Sequence, residues 1–152
     1  MSYVHQALYR GLRKANDEWV TGYLWNGASC SYIIPHNAGI LHDSHTDRMT
    51  ATAYEVRKES IGRRLDIMDR AFNTLYEYDI LQNEKGEIGL ILPVELHLGM
   101  AILWWRRVGD THLGVKCYGP PNGDSFIKVG DAFKNREKLE VFKNVSGYSM
   151  PF

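Results

Sequence analysis

Short apolar runs separated by turn-forming residues dominate the chain, and most of them alternate with polar residues as strands do. Residues 7–25 predict a β-hairpin with its turn at the polar residues 16–18. Every second residue from Trp19 to Trp25 is expected on one face of the returning strand. The same pattern predicts further strands at residues 31–35, 52–56, 75–81, 88–92, 102–108, 114–118, 126–129 and 139–145.

Polar and breaker-rich segments separate these strands. Residues 36–50 are expected to form a loop, and residues 82–87 and 119–124 contain the Asn, Gly and Pro residues typical of turns. Asp131 is expected to cap a short helix that ends near Lys138. The fold class predicted from the whole pattern is mainly β with minor α, a small barrel-like fold with short helical additions.

Length and composition fit a single globular domain spanning residues 1–152. Hydrophobic residues make up 44% and charged residues 24%, which is typical of globular proteins and not of disordered ones. Eighteen Lys and Arg residues balance 18 Asp and Glu residues, which argues against a protein that coats nucleic acid or membranes by bulk charge. The aromatic share of 12% favours β structure and surfaces suited to binding.

The sequence shows no secretion signal and no membrane span. Residues 1–6 lack the basic start and apolar core of a signal peptide, and no run approaches the roughly 18 apolar residues of a span. Cys30 and Cys117 lie in no metal-like spacing, and a disulfide would require the fold to bring them within bridging geometry. A cytoplasmic protein with reduced thiols, no cofactor and no membrane partner is therefore expected.

Three segments of the chain are similar to the motifs of one family. Residues 8–24, LYRGLRKANDEWVTGYL, match an opening of the form FRGKRxDNGEWVxGYL. Residues 54–81, YEVRKESIGRRLDIMDRAFNTLYEYDIL, match VxPETVGQYTGLKDKNGKxIYEGDIV without a gap, and the tail LEVFKNV at 139–145 resembles EVIGNI. By these motifs the chain resembles the YopX-like family of phage and prophage proteins, whereas residues 88–130 match poorly.

The resemblance implies a β-rich, barrel-like fold and a phage or prophage origin, and it brings no catalytic residue with it. The chain departs from the family where glycines are replaced, at Phe72, at Tyr78 and at the pair 65–66. Because glycine at such points supplies a positive φ or a close backbone approach, its loss predicts a different local path around residues 64–78. A helix over residues 63–73 is the alternative for this segment.

Two clusters carry residue types used in metal or acid–base chemistry. His42 and His45, with two neighbouring aspartates, have a spacing that lets one loop supply two zinc ligands, but no third or fourth ligand is evident and a solvated loop is the alternative. Glu77 and Asp79 would share a strand face and divide acid and base roles, or accept backbone N–H groups at a turn. Because no nucleophile turn or phosphate-binding glycine loop is present, no enzymatic activity is expected.

Trp104, Trp105, Arg106 and Arg107 are the strongest candidates for binding nucleic acid or a partner. Small barrels that bind single-stranded nucleic acid place stacking aromatic rings beside a basic groove. The alternative is that the tryptophans lie in the core or an oligomer interface and that the basic residues pair with acids. Further basic candidates are Arg10, Arg13, Lys14, Arg63, Arg64, Lys134, Arg136, Lys138 and Lys143.

The sequence thus predicts a non-enzymatic protein that acts through its surfaces, by binding a protein partner or a second copy of itself, and the YopX-like resemblance implies that it is a phage or prophage protein. Tryptophan and tyrosine are favoured at such interfaces, and symmetric assembly covers the edges of sheets. A nucleic-acid-binding module is the second hypothesis. A metal-dependent enzyme built on the His42 loop is the third.

Overall fold

The computed structural model describes residues 8–36, 41–93, 100–105, 113–118 and 126–140. The chain divides into two compact units, Met1–Arg64 and Leu65–Phe152. The mainly β prediction is confirmed, because the described part consists largely of strands and holds two short 3-10 helices, Lys58–Ser60 and Arg136–Leu139. The expectation of one domain over residues 1–152 stays a prediction.

Strands follow one another closely along the described part. In chain order they are β1 Tyr9–Leu12, β2 Trp19–Asn26, β3 Ser31–Ile34, β4 Leu41–Asp43, β5 Arg48–Thr50, β6 Tyr54–Val56, β7 Gly62–Met68, β8 Thr74–Tyr76, β9 Asp79–Asn83, β10 Ile88–Leu92, β11 Met100–Trp105, β12 Leu113–Tyr118 and β13 Phe126–Asp131. The pairs with a defined register are antiparallel. In contrast to the barrel-like expectation, the sheets formed by the described residues do not close into a barrel.

The first unit is built on a sheet in which the strand order is β6-β3-β2-β1-β7. Its centre is the predicted hairpin, since β1 and β2 pair over the whole of β1. The residues after β1 also reach β6, because Arg13 bridges Val56 and the Lys14 N–H donates a hydrogen bond of 3.0 Å to the Glu55 carbonyl. The edge of β6 is thereby covered within the unit, which removes one exposed edge.

Gly22 allows β2 to pass close to the backbone of β3. A Cβ at this position would clash with the carbonyl oxygen of Ile34 and would lie 2.9 Å from the Cα of Pro35. The backbone of β2 is fixed from both sides here, because Gly22 pairs with Tyr9 of β1 and the next residue, Tyr23, pairs with Ile34. Any side chain at position 22 would therefore push neighbouring strands apart.

The sequence predicted a loop over residues 36–50. This prediction is wrong in part, because the segment contains the two-stranded ribbon β4–β5. The turn of this ribbon is made by polar residues, with the Asp43 carboxylate accepting a 2.9 Å hydrogen bond from the His45 N–H. Asp47 completes the turn with a φ of 52°, a left-handed conformation that aspartate tolerates. Its polar composition made this ribbon resemble a loop in the sequence.

The second unit is built on a sheet of strand order β12-β11-β10-β9-β13. Consecutive residues of β9 and β10 pack into different clusters of buried side chains, so both faces of the sheet are covered. One cluster holds Leu65, Leu75, Leu81, Ile91 and Phe126, and the other holds Ile80, Leu90, Ala132 and Leu139. Burial on two faces explains why residues 88–92 form a continuous apolar run, and the predicted bounds of this strand are confirmed.

The alternative of a helix over residues 63–73 is wrong, because this segment forms β7, a turn and the approach to β8. Two large residues in the segment 64–78 take left-handed backbone conformations, Phe72 with a φ of 63° and Tyr78 with a φ of 72°. Such a conformation costs a residue with a Cβ about 1–2 kcal/mol. Phe72 and Tyr78 thus both adopt a left-handed backbone conformation although neither is glycine.

The predicted strand 75–81 is two strands, β8 and β9, separated by a turn at Glu77 and Tyr78. The positive φ of Tyr78 interrupts the extended backbone. Glu77 and Asp79 therefore do not share a strand face, contrary to the expectation. The strain at Tyr78 is offset by packing, because its ring meets Phe133 edge-on with centroids 5.5 Å apart.

Asp131 caps the turn at residues 132–134, and the predicted short helix begins later, at Arg136. The Asp131 Oδ1 accepts hydrogen bonds of 2.9 Å from the N–H groups of Phe133 and Lys134. The 3-10 helix Arg136–Leu139 follows and Glu140 is helical as well, so a strand beginning at residue 139 is wrong at its first two residues. The remainder of that predicted strand, residues 141–145, lies outside the described residues.

Replacing Phe72 with glycine is expected to raise the free energy of unfolding by about 1 kcal/mol, because glycine adopts a positive φ without steric cost. Phe72→Ala keeps the strain and is expected to give no gain. Tyr78→Gly is expected to destabilise, because it removes the ring that packs on Phe133. Urea unfolding of the three variants checks this, and a Phe72→Gly variant less stable than Phe72→Ala would contradict it.

Candidate interaction surface

The predicted binding residues fall only partly within the described chain. Trp104 and Trp105 belong to β11, where the backbone of Trp104 pairs with Gly89 on one side and Gly114 on the other. They thus occupy an inner strand of the second unit's sheet and not an edge. Residues 106–107, the two predicted arginines, lie outside the described residues. Their role in binding stays a prediction.

Basic residues that follow β1 and β6 lie beside acidic partners. Lys14 Nζ is 2.9 Å from Glu55 Oε1, and Arg57 Nη2 is 2.6 Å from Asp17 Oδ1. The hydrogen bond to Glu55, together with its negative charge, raises the pKa of Lys14. Exposed pairs of this kind add little stability, but they neutralise the local positive charge. The alternative in which basic residues pair with acids therefore holds here.

Two arginines of the first unit cover aromatic rings. The guanidinium of Arg10, a buried residue, lies 4.1 Å from the centroid of Trp19. The guanidinium of Arg13 lies 4.0 Å from the centroid of Tyr54 and 3.9 Å from a carboxylate oxygen of Glu18. In each contact the guanidinium lies over the face of the ring, where a nucleic-acid base would otherwise stack.

The Asp43 carboxylate caps the turn that joins β4 to β5. His42 lies in β4, and the carboxylate of the adjacent Asp43 accepts the His45 N–H. That hydrogen bond is the main reason why the pKa of Asp43 is lowered, followed by a hydrogen bond from the Thr46 side chain. Within the described ranges, no group of three or more His, Cys, Asp and Glu residues is arranged to hold a metal ion.

Asp79 is a buried carboxylate that joins β8 to β13. It is 0% exposed, and its Oδ2 accepts a 2.8 Å hydrogen bond from the Tyr76 N–H. Its Oδ1 lies 3.2 Å from Nζ of Lys128. These contacts confirm the structural alternative for this residue, a carboxylate that accepts a backbone N–H at a turn.

Asp69 holds the turn that follows β7. Its carboxylate is 4% exposed and accepts hydrogen bonds from the N–H groups of Ala71 (2.9 Å), Asn73 (2.8 Å) and Lys128 (2.8 Å), and from Asn73 Nδ2 (2.9 Å). Burial alone would raise the pKa of Asp69, but these hydrogen bonds, led by the one from Lys128, lower it overall. The turn at residues 69–73 is therefore rigidly fixed and tied to β13.

An aromatic patch lies at the end of the β2–β3 hairpin. Trp25 is 56% exposed, and its ring lies against Tyr32 with centroids 5.6 Å apart. The Cys30 Sγ is 3.5 Å from the Tyr32 hydroxyl, and this contact is the main cause that raises the pKa of Tyr32. We call Trp25, Cys30 and Tyr32 the Trp25 patch. Nothing in its alternating pattern distinguished Trp25 from the less exposed Trp19 and Tyr23.

A second apolar surface lies on the β7–β8 hairpin of the second unit. Phe72, in the turn at residues 69–73, is 83% exposed, and Met68, the last residue of β7, is 46% exposed. We call these two side chains the Phe72 surface. The sequence drew attention to Phe72 as a replaced glycine but did not indicate its exposure. The sequence feature that could have indicated this surface is a large apolar residue within an otherwise polar turn.

Comparison with known proteins finds no match. No family model matches the chain, and no curated protein or solved structure matches it. Among the described residues, no helix combines the length and apolar character needed to cross a bilayer. The YopX-like resemblance thus depends on the motifs at residues 8–24, 54–81 and 139–145.

Proposed function

We propose that the protein is a non-enzymatic interaction protein that assembles with a second copy of itself through exposed apolar side chains. The observation that carries this proposal is the exposure of large apolar residues on hydrogen-bonded hairpins, at Trp25 in the first unit and at Phe72 and Met68 in the second. Full burial of such a side chain contributes about 1.5–3 kcal/mol, and the isolated chain gains only part of this because these side chains remain exposed. Association would supply it. The alternative is that the same side chains bind a different protein.

A phage or prophage origin and a cytoplasmic location in the bacterial host belong to the same proposal. They are supported by the motifs that resemble the YopX-like family. The backbone adds support, because Phe72 and Tyr78 stand where that family has glycine and both take a positive φ. These are conformations for which glycine is the usual residue.

Binding of nucleic acid has less support among the described residues. Lys14 and Arg57 lie within 3 Å of carboxylates, and Arg10 and Arg13 cover aromatic rings. This hypothesis now depends on Trp104, Trp105, Arg106 and Arg107, or on the C-terminal basic run, of which Lys134, Arg136 and Lys138 are exposed. Titration of a fluorescent single-stranded oligonucleotide at low salt tests it, because binding through phosphates weakens steeply as salt is added.

Self-association is expected to protect Trp25 from a quencher in solution. The fluorescence lost on Trp25→Phe substitution reports this ring, which is 56% exposed. We expect acrylamide to quench that component strongly in dilute protein and weakly in concentrated protein. Trp19 is the matched control, because Arg10 covers its ring at any concentration. Equal quenching of Trp25 at all concentrations would contradict a role of the Trp25 patch in assembly.

A further inference from the structure

Phe72 combines a left-handed backbone conformation with a side chain that lies largely in solvent. Its φ is 63°, and its side chain is 83% exposed. Tyr78 has similar strain, but its ring packs on Phe133 and so contributes to the fold. Glycine at position 72 would relieve the strain without loss of a packed side chain. Strained residues of this kind are typical of functional sites.

The backbone beneath Phe72 is fixed before any partner arrives. The N–H groups on both sides of it, from Ala71 and Asn73, donate to the Asp69 carboxylate. The Phe72 N–H itself donates to the Asp69 carbonyl at 3.0 Å. A ring on a rigid turn loses little conformational entropy on binding, which favours its use as an anchor.

The surroundings of Phe72 are suited to a second copy of the same chain. Met68, directly before the turn, offers an exposed thioether that packs well on aromatic rings. The turn also carries Arg70, whose Nη1 lies 3.1 Å from Glu84 Oε1 at the surface. Opposite charges side by side make this patch complementary to itself under a two-fold axis. Because the chain has a formal net charge of zero, two copies do not repel each other through their net charge.

We propose that Phe72 is the anchor of a two-fold homodimer, in which each Phe72 ring packs against Met68 of the other copy. Arg70 and Glu84 then exchange their ion pair across the axis. This inference depends on the proposed function, because it names the residue through which the chain would bind itself.

Sedimentation equilibrium of the native chain and of Phe72→Gly tests the inference. We expect Phe72→Gly to weaken the dimer by about tenfold or more, as loss of an aromatic anchor does. The same substitution is expected to raise the melting temperature of the monomer, so weaker association cannot be attributed to misfolding. Met68→Ala is expected to weaken the dimer as well. Leu8→Ala, which removes an exposed apolar side chain of the first unit, is the control and should leave it unchanged.

The outcomes separate this inference from the proposed function. A native dimer that Phe72→Gly leaves intact would overturn the anchor role and leave self-assembly standing on another surface. A native chain that stays monomeric at every concentration would overturn both. If Phe72→Gly instead abolishes binding of an oligonucleotide to a monomeric chain, the ring serves as a base-stacking platform and the homodimer is wrong.

Discussion

Asp69→Ala is expected to lower the free energy of unfolding by about 3 kcal/mol, among the larger effects of any single substitution in this chain. The carboxylate is 4% exposed and accepts hydrogen bonds from three backbone N–H groups and one side-chain amide. Alanine leaves these donors without their acceptor. The Lys128 N–H is the most affected, because its hydrogen bond joins residues 59 positions apart and ties β13 to the turn.

The pH dependence of the Asp69 contribution follows from the sign of its pKa shift. Because the folded-state pKa lies below the ordinary value of about 3.9, the contribution is fully present above that pH. It is lost as the pH falls from about 4 through the folded-state pKa. The difference in stability between the native chain and Asp69→Asn should therefore be constant near neutral pH and shrink in acid.

Urea unfolding of the Asp69 variants at several pH values measures both effects. Asp17→Ala is the matched control, because it removes an exposed carboxylate that pairs with Arg57 at the surface. Its expected cost is below about 1 kcal/mol. If Asp69→Ala cost no more than Asp17→Ala, the hydrogen bonds of Asp69 would not hold the turn.

Gly22→Ala is expected to destabilise the chain by about 3 kcal/mol, because the added methyl group meets backbone and not a movable side chain. Its Cβ would clash with the carbonyl oxygen of Ile34 and lie 2.7 Å from the carbonyl carbon. Relief would require β3 to move away from β2, which breaks part of the ladder that joins them. The cost arises in the first unit.

Gly86→Ala is the control for Gly22→Ala. Gly86 has a φ of 77°, but no atom lies within 4 Å of the position its Cβ would take. Alanine there costs only the left-handed conformation, about 1 kcal/mol. Thermal unfolding of both variants separates a backbone clash from a backbone preference. Equal effects at the two positions would show that β2 and β3 can move apart at little cost.

Local patterns were sufficient to predict several strands. The hairpin of β1 and β2 and the bounds of β10 follow from apolar runs bounded by polar turns. Where a left-handed residue breaks a run, the pattern fails, because Tyr78 has no propensity that signals a positive φ. The prediction of one strand over residues 75–81 was wrong for this reason. The Asp69 network was also beyond reach, since its partner Lys128 is distant in sequence.

The sequence drew attention to aromatic side chains but did not indicate the positions at which the structure exposes them. The aromatic surplus drew attention to Trp104 and Trp105, which lie on an inner strand, whereas the structure describes exposed rings at Trp25 and Phe72. Burial and strain are properties of the folded chain. Phe72 stands out in the sequence as a large apolar residue within a polar turn, but the sequence does not show whether its side chain is buried or exposed.

Sedimentation velocity of the unmodified chain over a wide range of concentration is the most direct test of the claim that it acts through exposed apolar side chains. Association predicts a sedimentation coefficient that rises with concentration toward the value of a dimer. High salt should strengthen or preserve the complex, because its contacts are mainly apolar. A single monomeric species at all concentrations, unchanged by salt, would contradict self-assembly.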